Sequence, residues 1–310
     1  MKFIFMILVI TSGESRTLWE PEVPKLLVPM LQKSPPLQLN QSYHQLEIVD
    51  ISGTVFSHSF SQLYNVTELR ITHSEIRKIE SGALCSPPNL TILELDLSMN
   101  SAPPQLTQNM FKNCEKLDEL FLKFDYNTPS TIEENALEGL SLKVFGVDSL
   151  EVRHLRKNFL KLNPKNLRKL FLSHIHLTSI DSDVFDGFSK LEEVEIVHNP
   201  ELTQLSVDLF KNTRLKRLIL RDNGLDLTWD ELKNLTFLEE LDVFDNQIKY
   251  FNATKIHTNL PNLKKFFMEL NLQSCKTVEI SKKELKEKYH SIEFPDEHFS
   301  QFCESKNLHL

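Results

Sequence analysis

One pattern recurs ten times along this chain: L-x-x-L-x-L, with Ile, Val, Phe or Met admitted at the Leu positions. The registers begin at Leu46, Val66, Leu90, Leu117, Leu142, Leu167, Leu191, Leu215, Leu238 and Leu263, in steps of 20, 24, 27, 25, 25, 24, 24, 23 and 25 residues. A near-constant period in the twenties means a stack of small units, none of which can bury its own apolar face. A compact fold with one central core would not need such a repeat.

The best copies define the unit. Leu215-x-x-Leu218-x-Leu220-x-x-Asn223-x-Leu225 is one, and Leu238-x-x-Leu241-x-Val243-x-x-Asn246-x-Ile248 is another. The central residues alternate with period two, which predicts a short strand with one buried face. Stacked copies then form a parallel sheet. The Asn after the strand suits a turn, because its side chain bonds to neighbouring backbone groups. Asn199, Asn223, Asn246 and Asn271 hold that position in the last four copies, so a stacked ladder is expected. Earlier copies carry Thr54, Ser74, Ser98, Asp125, Leu150 and Ile175 there. The middle coils, at 150 and 175, are expected to be the least regular.

A second apolar position precedes each new register by about six residues. Phe60, Leu84, Phe111, Phe185, Leu232 and, one place off, Phe210 fill it. They predict a spine along the back. Strands stack more closely than these bulkier backs, so the stack curves and the sheet lines its concave side.

With these copies in place, residues 46–272 resemble the extracellular leucine-rich-repeat family. The likeness is to the type found in Toll-like receptor ectodomains and secreted arthropod immune proteins. It implies an α/β solenoid, a leucine-rich-repeat horseshoe with about ten parallel strands on the concave face. It also implies caps on both ends. Residues 16–45 hold no Cys but contain Pro21, Pro24, Pro29, Pro35 and Pro36, so an extended N-terminal cap segment is expected. Residues 273–310 read as a C-terminal cap around a polar helix-like stretch, Lys282 to Tyr289. Cys275 and Cys303 bracket it as a reduced form of the family's cap disulfide. Cys85 and Cys114 follow spine residues of consecutive coils, where a disulfide is geometrically reasonable and two free thiols are the alternative.

The chain begins Met-Lys, then runs apolar from Phe3 to Ile10, then small and polar to Ser15. That order reads as a secretory signal peptide over residues 1–15. No later apolar run is long enough for a membrane span. A secreted glycoprotein is therefore expected, with Asn-x-Ser/Thr triplets at Asn40, Asn65, Asn89, Asn234 and Asn252.

Chemistry is sparse. The chain has only seven glycines, and it contains neither a phosphate-binding Gly-rich loop nor a Gly-x-Ser-x-Gly elbow. Asp181 to Gly187 falls one place out of step with a calcium loop. His174 and His176 lack a third ligand. No catalysis, cofactor or metal is expected. A net charge of −8 disfavours nucleic acid or an anionic membrane as partner.

Recognition remains. Positions +2, +4 and +6 of each register should face the concavity. The +4 column reads Asp50, Arg70, Glu94, Phe121, Gly146, Phe171, Glu195, Ile219, Asp242, Phe267, and Phe244 adds an aromatic at +6. Phe121, Phe171 and Phe267 are expected to face solvent, where aromatics mark contact sites. The face carries eleven acids against six bases. A protein ligand with a basic, apolar-centred surface fits it, at a site comprising Phe121, Phe171, Glu195, Ile219, Asp242, Phe244 and Phe267. The family resemblance suggests innate immunity or a soluble decoy. The alternative is a matrix protein that binds copies of itself, for instance as a homodimer.

Overall fold

In the computed structural model of the chain, residues 9–11, 14–16, 25–27, 37, 43–126, 132–233, 235–289 and 291–295 are described. Ten strands stack in chain order. They are Gln45–Val49, Glu68–Thr72, Ile92–Asp96, Glu119–Lys123, Val144–Asp148, Lys169–Ser173, Glu193–Val197, Arg217–Ile219, Glu240–Asp242 and Lys265–Phe267. Every neighbouring pair is parallel. Lys25–Leu27 pairs with Glu47–Val49 and makes an eleventh strand at the N-terminal edge. The fold is the expected leucine-rich-repeat solenoid. Of the segment read as a leader, Val9–Thr11 and Glu14–Arg16 are described, and they pair antiparallel.

The Leu positions behave as their alternation demands. Leu170 and Leu172, like Leu218 and Leu220, are buried, and they join one continuous core running from Leu46 to Ile292. The spine lies in that core: Phe60, Leu84, Phe111, Phe185, Phe210 and Leu232 are all buried. Phe185 and Phe210 stack with centroids 5.7 Å apart. Cys85 and Cys114 form the expected disulfide between coils, with Cα atoms 5.2 Å apart.

The first register needs correcting. The ladder pairs Leu46 with Leu69 and Ile48 with Ile71. The first copy therefore starts at Tyr43, and its opening step is the 23 residues from Tyr43 to Val66. Leu46-x-x-Val49-x-Ile51 imitates the pattern three residues late, because Val49 and Ile51 supply the aliphatic residues that Tyr43 does not. Asp50 thereby leaves the +4 column, and Glu47 replaces it.

The turn after the strand is built from two positions. Asp50, His73, Ser149, His174, His198, Asp222, Asp245 and Leu270 lie seven residues into their copies. All have left-handed backbone, with φ from 50° to 61°. Short polar side chains tolerate that conformation best, which explains this column of Asp, His and Ser. The next position is the Asn ladder. Asn223 donates to Leu220 O and to Ile196 O of the preceding coil, and its Oδ1 accepts from Asn199 N. Asn199, Asn246 and Asn271 likewise accept backbone N–H groups of the coil before.

The middle coils are more regular than expected. Val144–Asp148 pairs residue for residue with both flanking strands. Leu150 and Ile175 fill the core where Asn would hydrogen-bond. Ile175 N finds its acceptor in Asn199 of the following coil. The strand register rests on the Leu positions, so an apolar turn residue does not disturb it.

The C-terminal sheet edge is covered. At the C-terminal end, Phe266 N donates to Glu293 O and Glu293 N to Lys264 O, closing the row of unpaired groups that would otherwise invite another chain. The cap helix Cys275–Lys288 is longer than the stretch expected from Lys282. It starts where Ser274 Oγ accepts from Thr277 N. Beyond it, Tyr289 Oη donates to Leu260 O. Cys275 is disulfide-bonded; Cys303 lies outside the described residues.

Candidate functional site

Three columns of side chains cross the concave face, set by strand register. The +2 column runs Gln45, Glu68, Ile92, Glu119, Val144, Lys169, Glu193, Arg217, Glu240, Lys265. The +4 column begins at Glu47 and then follows the sequence reading to Phe267. Parallel pairing puts each residue beside its equivalent about 4.8 Å away. The fold thus assembles Phe121, Phe171, Glu195, Ile219, Asp242, Phe244 and Phe267 on one surface.

Their exposure differs from expectation. Phe121 is 3% exposed, and Ile219, Asp242 and Phe267 are 0%. Phe171 and Phe244 are half-buried. These residues have not turned inward. Phe121, Val144, Val197, Ile219 and Phe267 are buried yet stand outside the core cluster. They form a second apolar layer on the other side of the sheet. Curvature draws neighbouring concave side chains together, so they bury one another laterally.

Gly146 shows how. Phe121 and Phe171 lie one strand to either side of it and stack across it, with centroids 6.3 Å apart. A Cβ on Gly146 would stand 2.6 Å from Phe121 Cδ1. Only a residue without a side chain leaves that space.

The polar residues around this layer are paired across strands. Lys169 Nζ lies 2.8 Å from Glu193 Oε2, Arg217 bonds the other oxygen of Glu193, and Arg217 Nε lies 2.9 Å from Glu240 Oε1. One chain of charges thus spans four consecutive strands. Burial opposes ionisation of Glu193, but the Lys169 hydrogen bond and the Arg217 and Lys169 charges outweigh it and hold its pKa low. Arg221 Nε donates to Asp242 Oδ2 at 2.8 Å, and its guanidinium lies 5.6 Å from the Phe244 ring centre. Further along, Arg70 pairs with Glu94 at 3.0 Å and Lys282 of the cap with Glu269 at 2.8 Å.

Glu195 has no such pairing. It is 5% exposed, and its Oε2 is buried with no hydrogen-bond partner. Burial pushes its pKa up to about 8; Arg217 and Arg221 oppose this, while Glu193 and Asp242 add to it. Two carboxylates on one strand thus differ in charge state near neutral pH.

An edge cluster escaped the sequence reading. His174 and His198, in the left-handed column, stack 4.3 Å apart, and exposed Tyr126 meets His174 edge-on at 5.8 Å. His174 Nδ1 lies 3.1 Å from Asp148 Oδ1, and His198 Nδ1 lies 3.2 Å from Asp222 Oδ2. Burial, then the His174 charge, pull His198 below the ordinary imidazole value. Burial and Asp245 raise Asp222 to about 6. The recurrence of His or Asp seven residues into six of the ten copies was the available signal. Among the described residues, no group of three or more His, Cys, Asp or Glu could hold a metal. The acids of the calcium-like stretch are engaged elsewhere: Asp181 lies 2.8 Å from His154 Nε2, and Asp183 and Asp186 pair with Lys157.

Of the glycosylation triplets, Asn65 and Asn89 are exposed and Asn252 half-buried, all off the concave columns. Asn40 and Asn234 lie outside the described residues. No helix among the described residues is long and apolar enough to cross a membrane.

A curved parallel sheet with an Asn-laddered turn and a side-chain-lined concavity defines a leucine-rich-repeat solenoid. The chain belongs to the BspA-type leucine-rich repeat region family, whose model matches residues 39–165, 105–239 and 157–286. It is 27% identical to osteomodulin of Bos taurus over 244 residues, covering 71% of this chain and 54% of that protein. It is 24% identical to lumican of Gallus gallus over 246 residues, covering 74% and 55%. The chain spans about half the length of these curated relatives. Among solved structures, Toll in the Toll–Spatzle complex of Drosophila matches with a TM-score of 0.64 at 19% identity, over 81% of this chain and 33% of that one. That likeness concerns the fold.

Proposed function

We infer that this chain is a secreted protein-binding module whose concave face takes a protein with a basic, apolar-centred surface. The observation that carries this reading is the second apolar layer, rimmed by charges with acids in excess. Correcting the first register swaps Asp50 for Glu47 and leaves eleven acids against six bases. An acidic face steers basic partners and rejects acidic ones. The half-buried Phe171 and Phe244 are its accessible aromatics.

The extracellular setting rests on the leader-like residues 1–15, the Cys85–Cys114 disulfide and the five acceptor triplets. A Cys275–Cys303 bridge across the cap belongs to the same reading. The Toll structure is of a complex in development and innate immunity; recognition in innate immunity, or as a soluble decoy, is the corresponding proposal for this chain.

The test is to express the chain from residue 16 in a secreting host and cross-link it to extracellular proteins, with Phe171→Asp and an exposed variant off the concave columns, Phe237→Asp, in parallel. Loss of one basic partner with Phe171→Asp alone supports the reading. Equal capture by both variants refutes it. A stable homomer in solution, disrupted by Phe171→Asp, would favour the self-associating alternative.

A further inference from the structure

We propose that Glu195 is a preformed, unfilled acceptor for one cationic side chain, a lysine or arginine, of the protein that binds the concave face. This deepens the reading above and rests on it. Glu195 occupies the seventh of the ten strands from Gln45 to Phe267, at the middle of the +4 column, between Phe171 and Ile219. The residue is 5% exposed, and its buried Oε2 has no hydrogen-bond partner. A buried polar atom left unmatched is uncommon in folded proteins and invites an explanation.

The surrounding cations hydrogen-bond to other carboxylates, although Arg217 keeps one buried nitrogen, Nη2, without a partner. Arg217 bridges Glu193 and Glu240, Arg221 holds Asp242, and Lys169 holds Glu193. The charged groups facing Glu195 are Glu193 on its own strand, Arg217 and Arg221 on the next, and Asp242 on the one after. All belong to the sheet. A ligand cation would find apolar walls on both sides. Phe171 offers a ring face and aliphatic packing for a lysine or arginine stem. The low polarity of the site strengthens any charge pair formed there. The acid excess of the whole face selects a cation over a neutral donor.

The proton on Glu195 makes the event visible. With a pKa of about 8 the carboxyl is protonated at neutral pH. A cation that pairs with it must displace that proton, so binding should tighten as pH rises towards that value and level off above it.

The probe is a synthetic peptide of alternating arginine and glycine, with a second peptide carrying citrulline, the neutral isostere, at every arginine. Binding to the wild type, Glu195→Gln and Phe171→Ala is read by fluorescence anisotropy between about pH 6 and about pH 9. Wild-type affinity for the arginine peptide should rise by up to about tenfold per pH unit below the plateau, and Glu195→Gln should lose that slope. Above the plateau Glu195→Gln should bind about tenfold more weakly or worse. The citrulline peptide should show no Glu195-dependent slope. Carbon-13 titration of the Glu195 carboxyl should show ionisation at neutral pH on adding the arginine peptide.

An unchanged pH profile in Glu195→Gln overturns the inference. The concave-face reading survives that result if Phe171→Ala still weakens binding. If neither variant matters, or if no arginine peptide binds, both fail. Glu195→Gln is nearly isosteric, and a cooperative melting transition at pH 6, no lower than that of the wild type, confirms that it folds.

Discussion

Phe121 leans over the bare backbone of Gly146, so that a Cβ added there would stand 2.6 Å from its ring. Gly146→Ala must push Phe121, and with it the stacked Phe171, away from the sheet. Overpacking of this kind costs about 1–3 kcal/mol. We expect a lower urea midpoint with an unchanged m-value, and faster backbone amide exchange in the strands Glu119–Lys123 and Lys169–Ser173. An unchanged midpoint would mean that the two rings yield without cost.

The burial of Glu195 makes stability depend on pH. Its folded pKa, about 8, lies above the ordinary carboxylate value of 4.5. Between these values the folded chain keeps a proton that the unfolded chain has lost. Stability is therefore greatest below about pH 4.5 as far as this group is concerned, falls as pH rises, and levels off above about pH 8. Glu195→Gln removes this group's share of the fall. Its melting temperature should match the wild type near about pH 4 and exceed it increasingly up to about pH 8, the gap growing by at most about 1.4 kcal/mol per pH unit between the two pKa values. Thermal denaturation across that range decides it.

Asn223 joins two coils. It accepts from Asn199 N and donates to Ile196 O and Leu220 O, all buried. Asn223→Ala removes the acceptor of Asn199 N and a donor to Ile196 O, while Leu220 O still accepts from Asn246 Nδ2, and a loss of about 2–4 kcal/mol is expected. Asn271 has the same partners in kind but is only half-buried, so Asn271→Ala should cost less. Denaturation of the two variants side by side tests the ordering.

The Cys85–Cys114 disulfide closes a sequence separation of 29 residues and joins the second copy of the repeat to the third. Replacing both by Ser should cost about 3–4 kcal/mol, chiefly by freeing the unfolded chain. Wild type in reductant should approach the double variant's denaturation midpoint. A variant as stable as the wild type would show that neighbouring packing already holds the coils together.

Much of this was legible in the residues. The Leu spacing determined ten strands, their direction and their buried sides. The spine and the Cys85–Cys114 pair followed from the same period. Tyr43 was missed because an aromatic opened the copy and Val49 and Ile51 offered a plausible register three residues later. The +7 column of Asp, His and Ser was visible but unexplained until its left-handed backbone identified the constraint.

Exposure was the part that could not be read. A one-dimensional pattern says which side of the sheet a residue takes, because alternation depends only on the strand. It does not say how closely neighbouring strands bring their side chains, because that depends on curvature and on what lies at the same column two coils away. Phe121 is covered because Gly146 is beside it and Phe171 beyond, across about 50 residues of chain. Glu195 is left unpaired because Arg217 and Arg221 turn to Glu193, Glu240 and Asp242 instead. The sequence by itself determined the solenoid and its concave columns; only the tertiary structure decided which members of those columns remain open to a partner.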